Sequence, residues 1–476
     1  MTETADQILS HVIPVCQWDP QISINPSSTL SAYSLFPGDV REWTQFFRSA
    51  RLARIHYPLP GGQLPFFSTD AEPLENEKDA EDRFKSNVLS PIGGILEIQG
   101  GKFKRRCSGL LGVSDFVLCT INPTVAKMPV EMKTRFNLNL CGHHLWTIYR
   151  RAQRDQIMIM NHNFKFKKAI LSQVFGTMAC NGLHYGILSN YSDTYFFKRE
   201  ETNQTTLYVS RVVQPNDTNP TLRECVYYIS QLAINDNVGE RLDRVENDNI
   251  SSNGFDYNAD DTDNSSDDNP DDNDYTDDGS SDNYDDDYPS KKMKQSSKKT
   301  GSKKVVASSS KGITAIGKYI GRGTFGNVFS GHYHGQAVAW KTCDAYKEEE
   351  AKKTLRIEAN TYSILKECQG NTIPQLIYEG YVYGGYLYAL ALQLIEDARH
   401  IDLANLTVEE KRTIVQQLET IHSYGVLHND IAQRNILMEP KSRRFFFIDF
   451  GLSEFVGTGS KKLNKEKKKL KKLLQI

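Results

Sequence analysis

His428-Asn429-Asp430-Ile431-Ala432-Gln433-Arg434-Asn435, followed by Ile448-Asp449-Phe450-Gly451, is the stretch on which the reading of this chain turns. The first run has the form H-x-D-x-x-x-x-N and the second is D-F-G. The spacing has a chemical reason. A centre that moves a phosphoryl group needs one acid facing an incoming hydroxyl, and an amide and a second acid facing Mg²⁺. Asp430 suits the first task, Asn435 and Asp449 the second. A D-F-G tripeptide alone carries little weight, so the upstream residues decide.

Upstream, Gly321-Arg322-Gly323-Thr324-Phe325-Gly326-Asn327-Val328 reads G-x-G-x-x-G-x-V, and Val338-Ala339-Trp340-Lys341 reads V-A-x-K. Glycines belong where backbone N–H groups approach phosphate oxygens closely. Glu358 falls in a helix expected over 355–369, ended by Gly370, and is the best partner for Lys341. These elements in this order resemble the protein kinase superfamily over residues 313–455. The resemblance implies ATP and Mg²⁺ as cofactors and a protein substrate. Gly321, Gly323, Gly326, Val328, Ala339 and Lys341 would bind the nucleotide, with Glu358 orienting Lys341. Asp430 would be the catalytic base, and Asn435 and Asp449 would hold the metal. Gln393 to Glu396 would be the hinge facing adenine.

Length and composition set the frame. A chain of 476 residues is expected to hold two to four domains, and its formal charge of -2 points to no partner. The eight cysteines include no C-x-x-C pair and read as reduced core residues of an intracellular protein. Residues 1–19 lack a basic segment joined to an apolar one, so no secretory signal is expected. No apolar run approaches the about 20 residues that span a bilayer, so no membrane partner is expected.

Residues 1–240 have globular composition and none of the motifs above. The pattern predicts a charged helix over 74–88, ending ahead of Pro91 and Gly93. It predicts strands over 112–119 and 128–134 joined by a turn at Asn122-Pro123. A helix follows over 165–181, with Ile170, Val174 and Met178 on one face and Gly182 at its end. Strands over 184–191, 194–199 and 206–213 and a helix over 221–233 complete a mixed α/β sheet.

On paired strands Glu131 and Lys133 point to one face, where Asp115 on the preceding strand can meet them. Two carboxylates and a lysine suit Mg²⁺-assisted phosphodiester hydrolysis. The bland alternative is a surface ion pair on an edge strand. The arrangement resembles the PD-(D/E)xK nuclease superfamily, in which Asp115, Glu131 and Lys133 take the motif positions. Glu77 or Glu81 would be a helix-borne acid and Gln173 a polar group on the next helix. The strict Pro-Asp dipeptide is absent, because Ser114 precedes Asp115. Cys141-Gly142-His143-His144 invites a metal reading, but neighbouring helical residues diverge by about 100° and do not share one ion. Arg135, Arg150, Arg151, Arg154, Lys165, Lys167 and Lys168, interleaved with Phe164 and Phe166, fit either a nucleic-acid groove or a solvated face.

Residues 241–312 read as a disordered linker. Asp, Asn and Ser dominate 243–287, too polar to form a core. The sign then reverses at Lys291-Lys292-Met293-Lys294, Lys298-Lys299 and Lys303-Lys304, a nuclear-import pattern or a charge-balanced spacer. In residues 313–476, Thr407 and Glu410 form a capping box that opens a helix lined by Ile414, Leu418 and Ile421 and ended at Tyr424-Gly425. Three departures mark this half. Asn429 replaces the usual arginine, so control through a phosphate paired to it is not expected. Ala432 and Arg434 look like tyrosine-kinase loops. After Gly451 no A-P-E segment appears, and Lys461 to Ile476 reads as a basic amphipathic helix either beneath the catalytic loop or in solvent. The pairing resembles the compact kinases of fungi and Crinkler-type effectors, in which a nuclease-like domain and a short kinase domain share one chain.

The expected fold class is therefore α+β: a kinase-like fold at the C-terminus and a separate mixed α/β, restriction-endonuclease-like domain at the N-terminus. The rival readings are a nucleotide-binding pseudokinase scaffold and a nuclease regulated by its kinase domain.

Overall fold

The computed structural model describes residues 1–19, 37–135, 137, 138, 140, 144–154, 162–200, 203–236, 314–323 and 326–476. The linker, its lysine clusters, Cys141-Gly142-His143 and the side chains of Lys165 to Lys168 lie outside the described residues.

In the N-terminal half the sheet strands are β1 (Asp39–Glu42), β2 (Gly101–Lys104), β3 (Phe116–Thr120), β4 (Ala126–Met132), β5 (Tyr185–Ser189), β6 (Thr194–Glu200) and β7 (Asn203–Val209). They form a seven-stranded sheet in the order β1-β7-β6-β5-β4-β3-β2. β2, β3 and β4 are an antiparallel meander. The helices of this half that bear on the site are α1 (Glu77–Phe84), α2 (Ser90–Ile98), α3 (His162–Cys180) and α4 (Leu222–Asn235). α3 carries the chain over the sheet, so that β5 pairs parallel to β4, as parallel pairing requires. Strand alternation then builds two cores from one strand. Phe116 and Leu118 pack with Phe84, Ile92 and Ile229, whereas Val117 and Cys119 pack with Val174 and Phe175. β3 is thus buried on both faces, which explains its unbroken apolar sequence.

Several boundaries differ from expectation. The charged helix starts at Glu77, capped by the Asn76 side chain on the Asp79 N–H. It does not stop before Pro91, but passes through a π-helical turn at Lys85–Leu89 into α2. Pro91 sits in the first turn of that new segment, where a missing N–H costs little. β3 begins at Phe116 and not at Gly112, because Gly112 has φ +80°, outside strand geometry.

Residues 314–476 open with β8 (Ala315–Gly323), β9 (Gly326–Tyr333) and β10 (Gln336–Asp344). α5 (Glu349–Ile364), β11 (Leu376–Val382) and β12 (Leu387–Gln393) follow. The five strands are antiparallel in the order β8-β9-β10-β12-β11. α5 begins ahead of the expected Leu355, and β11 has no counterpart in the sequence reading. α6 (Val408–Ser423) has the expected Thr407–Glu410 capping box and buries Ile414, Leu418 and Ile421. α7 (Lys461–Leu474) buries Leu463, Leu470 and Leu474. It packs beneath the catalytic loop, and its lysine face stays outside.

The two halves share a core. Leu111 and Cys180 join Phe329, Val338, Trp340, Tyr383 and Tyr386 in one apolar cluster. Tyr386, fully buried at the β11–β12 turn, makes a 2.7 Å hydrogen bond between its hydroxyl and that of Thr177 on α3. A Cβ on Gly112 would lie 1.9 Å from the Tyr386 hydroxyl oxygen, so only glycine fits there. Asp344 at the end of β10 accepts from the Val113 N–H at 3.2 Å.

Candidate active site

β10 holds Lys341 between two carboxylates. Its ammonium donates to Glu358 Oε2 on α5 at 2.5 Å and to Asp449 Oδ1 at 2.6 Å. Burial alone would push the ammonium down, but Glu358 and Asp449 outweigh it and hold Lys341 above its ordinary range. Burial raises Glu358, with Lys341 opposing. Asp449 reaches this position in a left-handed conformation, φ 67°. The next residue, Phe450, is buried against Tyr362 and His428, at centroid distances of 5.7 and 4.7 Å. No room exists for a side chain on Gly451, whose Cβ would meet Thr354 Cγ2 at 2.4 Å.

The catalytic loop is tied at both ends. His428 Nε2 bonds the Ile448 carbonyl at 3.0 Å, joining it to the D-F-G turn. Asn435 Nδ2 donates to both the Asp430 carbonyl and Asp430 Oδ2 at 2.8 Å. Arg434 Nη2 donates to the same carboxylate at 2.8 Å. Asn429, where an arginine was expected from the resemblance, has φ 68°, a conformation asparagine tolerates better than most residues.

These residues edge a cleft of about 690 Å³ whose lining includes Gly321, Gly323, Val328, Ala339, Lys341, Glu358, Asn435 and Asp449. Leu392, Leu437 and Ile448 extend its apolar wall, and of the expected hinge Gln393 to Glu396 the cleft is lined by Gln393, Leu394 and Ile395 but not Glu396. An apolar slot with a few convergent polar groups fits a nucleotide base and its phosphates. Gly326 is not part of this lining. It borders a neighbouring cavity of about 510 Å³ that faces Arg106, Leu110 and Val113 of the N-terminal half. A Cβ there would lie 2.7 Å from the Thr342 carbonyl oxygen, so close strand pairing also demands the glycine.

One residue of this site has no motif. Glu466 on α7 is buried and accepts from the His428 N–H at 3.0 Å, the Asn429 N–H at 2.6 Å and His422 Nε2 at 2.8 Å. Burial opposes its charge, but these bonds outweigh it and hold the carboxyl below its ordinary value. A lone glutamate at the buried stripe of a lysine-rich helix was the available signal.

The N-terminal residues singled out in the sequence also meet. Glu131 Oε1 accepts from Lys133 Nζ at 2.8 Å and from Gln173 Nε2 on α3 at 2.5 Å. Asp115 Oδ2 accepts from the Met132 N–H at 2.6 Å. Glu77 lies 3.9 Å from Lys133 Nζ, and Glu77, Glu81 and Asp115 each bring an oxygen within 4.8 Å of the others. Glu131 and Lys133 are buried, so the surface-pair alternative fails. Burial and Asp115 raise Glu131. A second cation arrives from the other half. Lys347 Nζ lies 2.6 Å from Glu131 Oε1 and 3.4 Å from Asp115 Oδ1. Nothing in the sequence reading connected Lys347 to this centre.

Residues 314–470 match the protein kinase domain. The chain is 29% identical over 162 residues to the probable serine/threonine-protein kinase 2 of Plasmodium falciparum, covering 32% of this chain and 30% of that protein. It is 26% identical over 159 residues to casein kinase II subunit alpha' of Saccharomyces cerevisiae, covering 29% and 42%. It is 28% identical over 151 residues to the dual specificity protein kinase pyk3 of Dictyostelium discoideum, covering 29% and 10%. The chain thus spans less than half the length of each of these curated relatives. No described helix is long and apolar enough to cross a membrane. With motifs, sheet and cleft in place, residues 314–470 are a protein kinase domain.

Proposed function

We propose that this chain is an ATP-dependent protein kinase, transferring a phosphoryl group to a protein hydroxyl. The observation that carries the reading is Lys341 bonded at once to Glu358 and Asp449. Those bonds place the lysine at the cleft floor, where phosphates would lie, and hold α5 against the sheet. Lys341 would contact the α- and β-phosphates, and Asn435 and Asp449 would hold Mg²⁺. Mg-ATP, when bound, supplies the transferable group and neutralises charge on it. Asp430 would orient the acceptor hydroxyl and take its proton. Its carboxylate is already aimed by Asn435 and Arg434. Phosphate transfer from labelled ATP to the chain itself and to a generic substrate tests this. Transfer is expected in wild type and lost in Asp430→Ala and Lys341→Met. Nucleotide binding without transfer in wild type would favour the pseudokinase scaffold instead.

The cluster of Asp115 with the buried Glu131, Lys133 and Gln173 favours a second activity in the same chain. We infer that the N-terminal half is a PD-(D/E)xK-like domain that cleaves phosphodiesters with a divalent cation, the pairing noted in Crinkler-type proteins. Asp115 and Glu131, with Glu77 nearby, offer the hard oxygen donors such a cation takes. Lys133 would steady developing charge on the scissile phosphate. Cleavage of nucleic acid with Mg²⁺, lost in Glu131→Ala and kept in Asp449→Ala, is the expected result. The lysine clusters over 291–304 support a nuclear destination, which a fluorescent fusion lacking them would test.

A further inference from the structure

The kinase domain reaches into the N-terminal acidic centre with a single side chain. Lys347 follows β10, on a turn that Asp344 fixes from both sides. Its Oδ1 accepts from the Tyr346 and Lys347 N–H groups at 3.0 and 2.9 Å. Its Oδ2 accepts from Val113 N–H. The turn therefore anchors to the segment that leads into Asp115. Tyr386, seated against Gly112 and Thr177, fixes the sheet behind it.

At the centre, one oxygen of Glu131 takes three donors: Lys133 at 2.8 Å, Gln173 at 2.5 Å and Lys347 at 2.6 Å. Lys347 also stands 3.4 Å from Asp115. A divalent cation bridging Asp115 and Glu131 would occupy the same space and need the same lone pairs. We propose that Lys347 is a resident cation, so that docking of the kinase lobe and binding of a divalent cation between Asp115 and Glu131 exclude one another. This rests on reading that centre as a metal site. The consequence is a gate: the N-terminal centre loads metal when the turn at 344–348 withdraws. By linkage, bound metal then weakens docking by the same factor.

The probe is Mn²⁺ alone, added to the full chain without nucleotide, with free ion followed by electron paramagnetic resonance. Lys347→Gln and Lys347→Met are compared with wild type, and each is repeated with Glu131→Gln to subtract other sites. Lys347→Gln keeps the length and a hydrogen-bonding end, so it guards against misfolding of the apolar variant. The expected result is one Mn²⁺ site in both variants, tighter than in wild type by on the order of tenfold to a hundredfold, the usual span of coupling between sites. Glu131→Gln should abolish it. Excess Mn²⁺ should also speed hydrogen exchange over residues 344–348 in wild type. Equal affinity in wild type and variants, with Glu131→Gln still abolishing the site, would overturn the gate and leave the metal centre standing. A site absent from every protein would overturn both.

Discussion

Replacing Glu466 tests whether one carboxylate on α7 holds the catalytic loop in place. It accepts three hydrogen bonds, two from the backbone of His428 and Asn429 and one from His422. Glu466→Ala strands all three donors where water has little access. A hydrogen bond to a charged group contributes about 1.5–3 kcal/mol, and an unmade buried one costs a comparable amount. The bonds share one acceptor and do not add fully, so the expected loss is about 3–5 kcal/mol, the scale of breaking a buried charged pair. Glu466→Gln separates shape from charge. Its remaining oxygen serves His422 and His428, as Oε2 does now, and its amide meets the Asn429 N–H. One bond is lost, for about 1–2 kcal/mol. Urea denaturation followed by circular dichroism reads the difference, provided the slope with urea stays constant. Phosphate transfer should fall in the same order, because Asn429 adjoins Asp430. Equal losses for Ala and Gln, or a loss below about 0.5 kcal/mol for Ala, within the range of ordinary surface substitutions, would refute the tether.

Tyr386→Ala empties a fully buried pocket at the contact between the halves and should cost about 3–5 kcal/mol in urea denaturation. A loss under about 1 kcal/mol, the scale of an exposed site, would mean the contact carries no stability. Gly112→Ala places a Cβ against the Tyr386 hydroxyl at φ +80°. It should destabilise wild type more than it does the Tyr386→Ala background, and a double-mutant cycle with no coupling would contradict the packing. Acid should weaken the C-terminal half for two concordant reasons. Glu466 has its folded pKa below the unfolded 4.5, so its stabilisation is full above that value and lost as pH falls through it. Burial holds His428 below 6.5, so the unfolded chain takes that proton first and stability falls as pH drops past 6.5. Glu358, raised by burial, pulls the other way, so the readout is the difference: melting temperature should fall more from pH 7 to 4 in wild type than in Glu466→Gln, and an equal or smaller fall would contradict the sign for Glu466.

What the sequence disclosed follows the reach of its signals. Asp430, Asn435 and Asp449 were legible because their chemistry fixes their spacing within one loop system. Lys341 and Glu358 were legible because strand and helix periods place them. Glu131 and Gln173 are far apart in sequence, and only the family resemblance linked them. Glu466 stayed hidden because a glutamate among lysines looks like a solvated residue until the helix is packed. Lys347 sits in a run of charged residues, Lys347-Glu348-Glu349-Glu350, whose pattern speaks of solvent. Tyr386 belongs to no motif. All three make contacts between distant segments, which no local period encodes. The helix through Pro91 was missed because a π-helical turn shifts register just where proline signals a stop.

The shared core between the halves turns the connection between them into a matter of convenience. The apolar cluster of Leu111, Phe329, Trp340 and Tyr386 would persist whether or not a covalent chain ran from one side to the other. The described residues of 1–236 and 314–476 form one compact unit. Two polypeptides, cut anywhere between, are therefore candidates for reassembly by complementation, the tether contributing only effective concentration. Either piece made alone would present that apolar face to solvent and need its counterpart to stay dispersed.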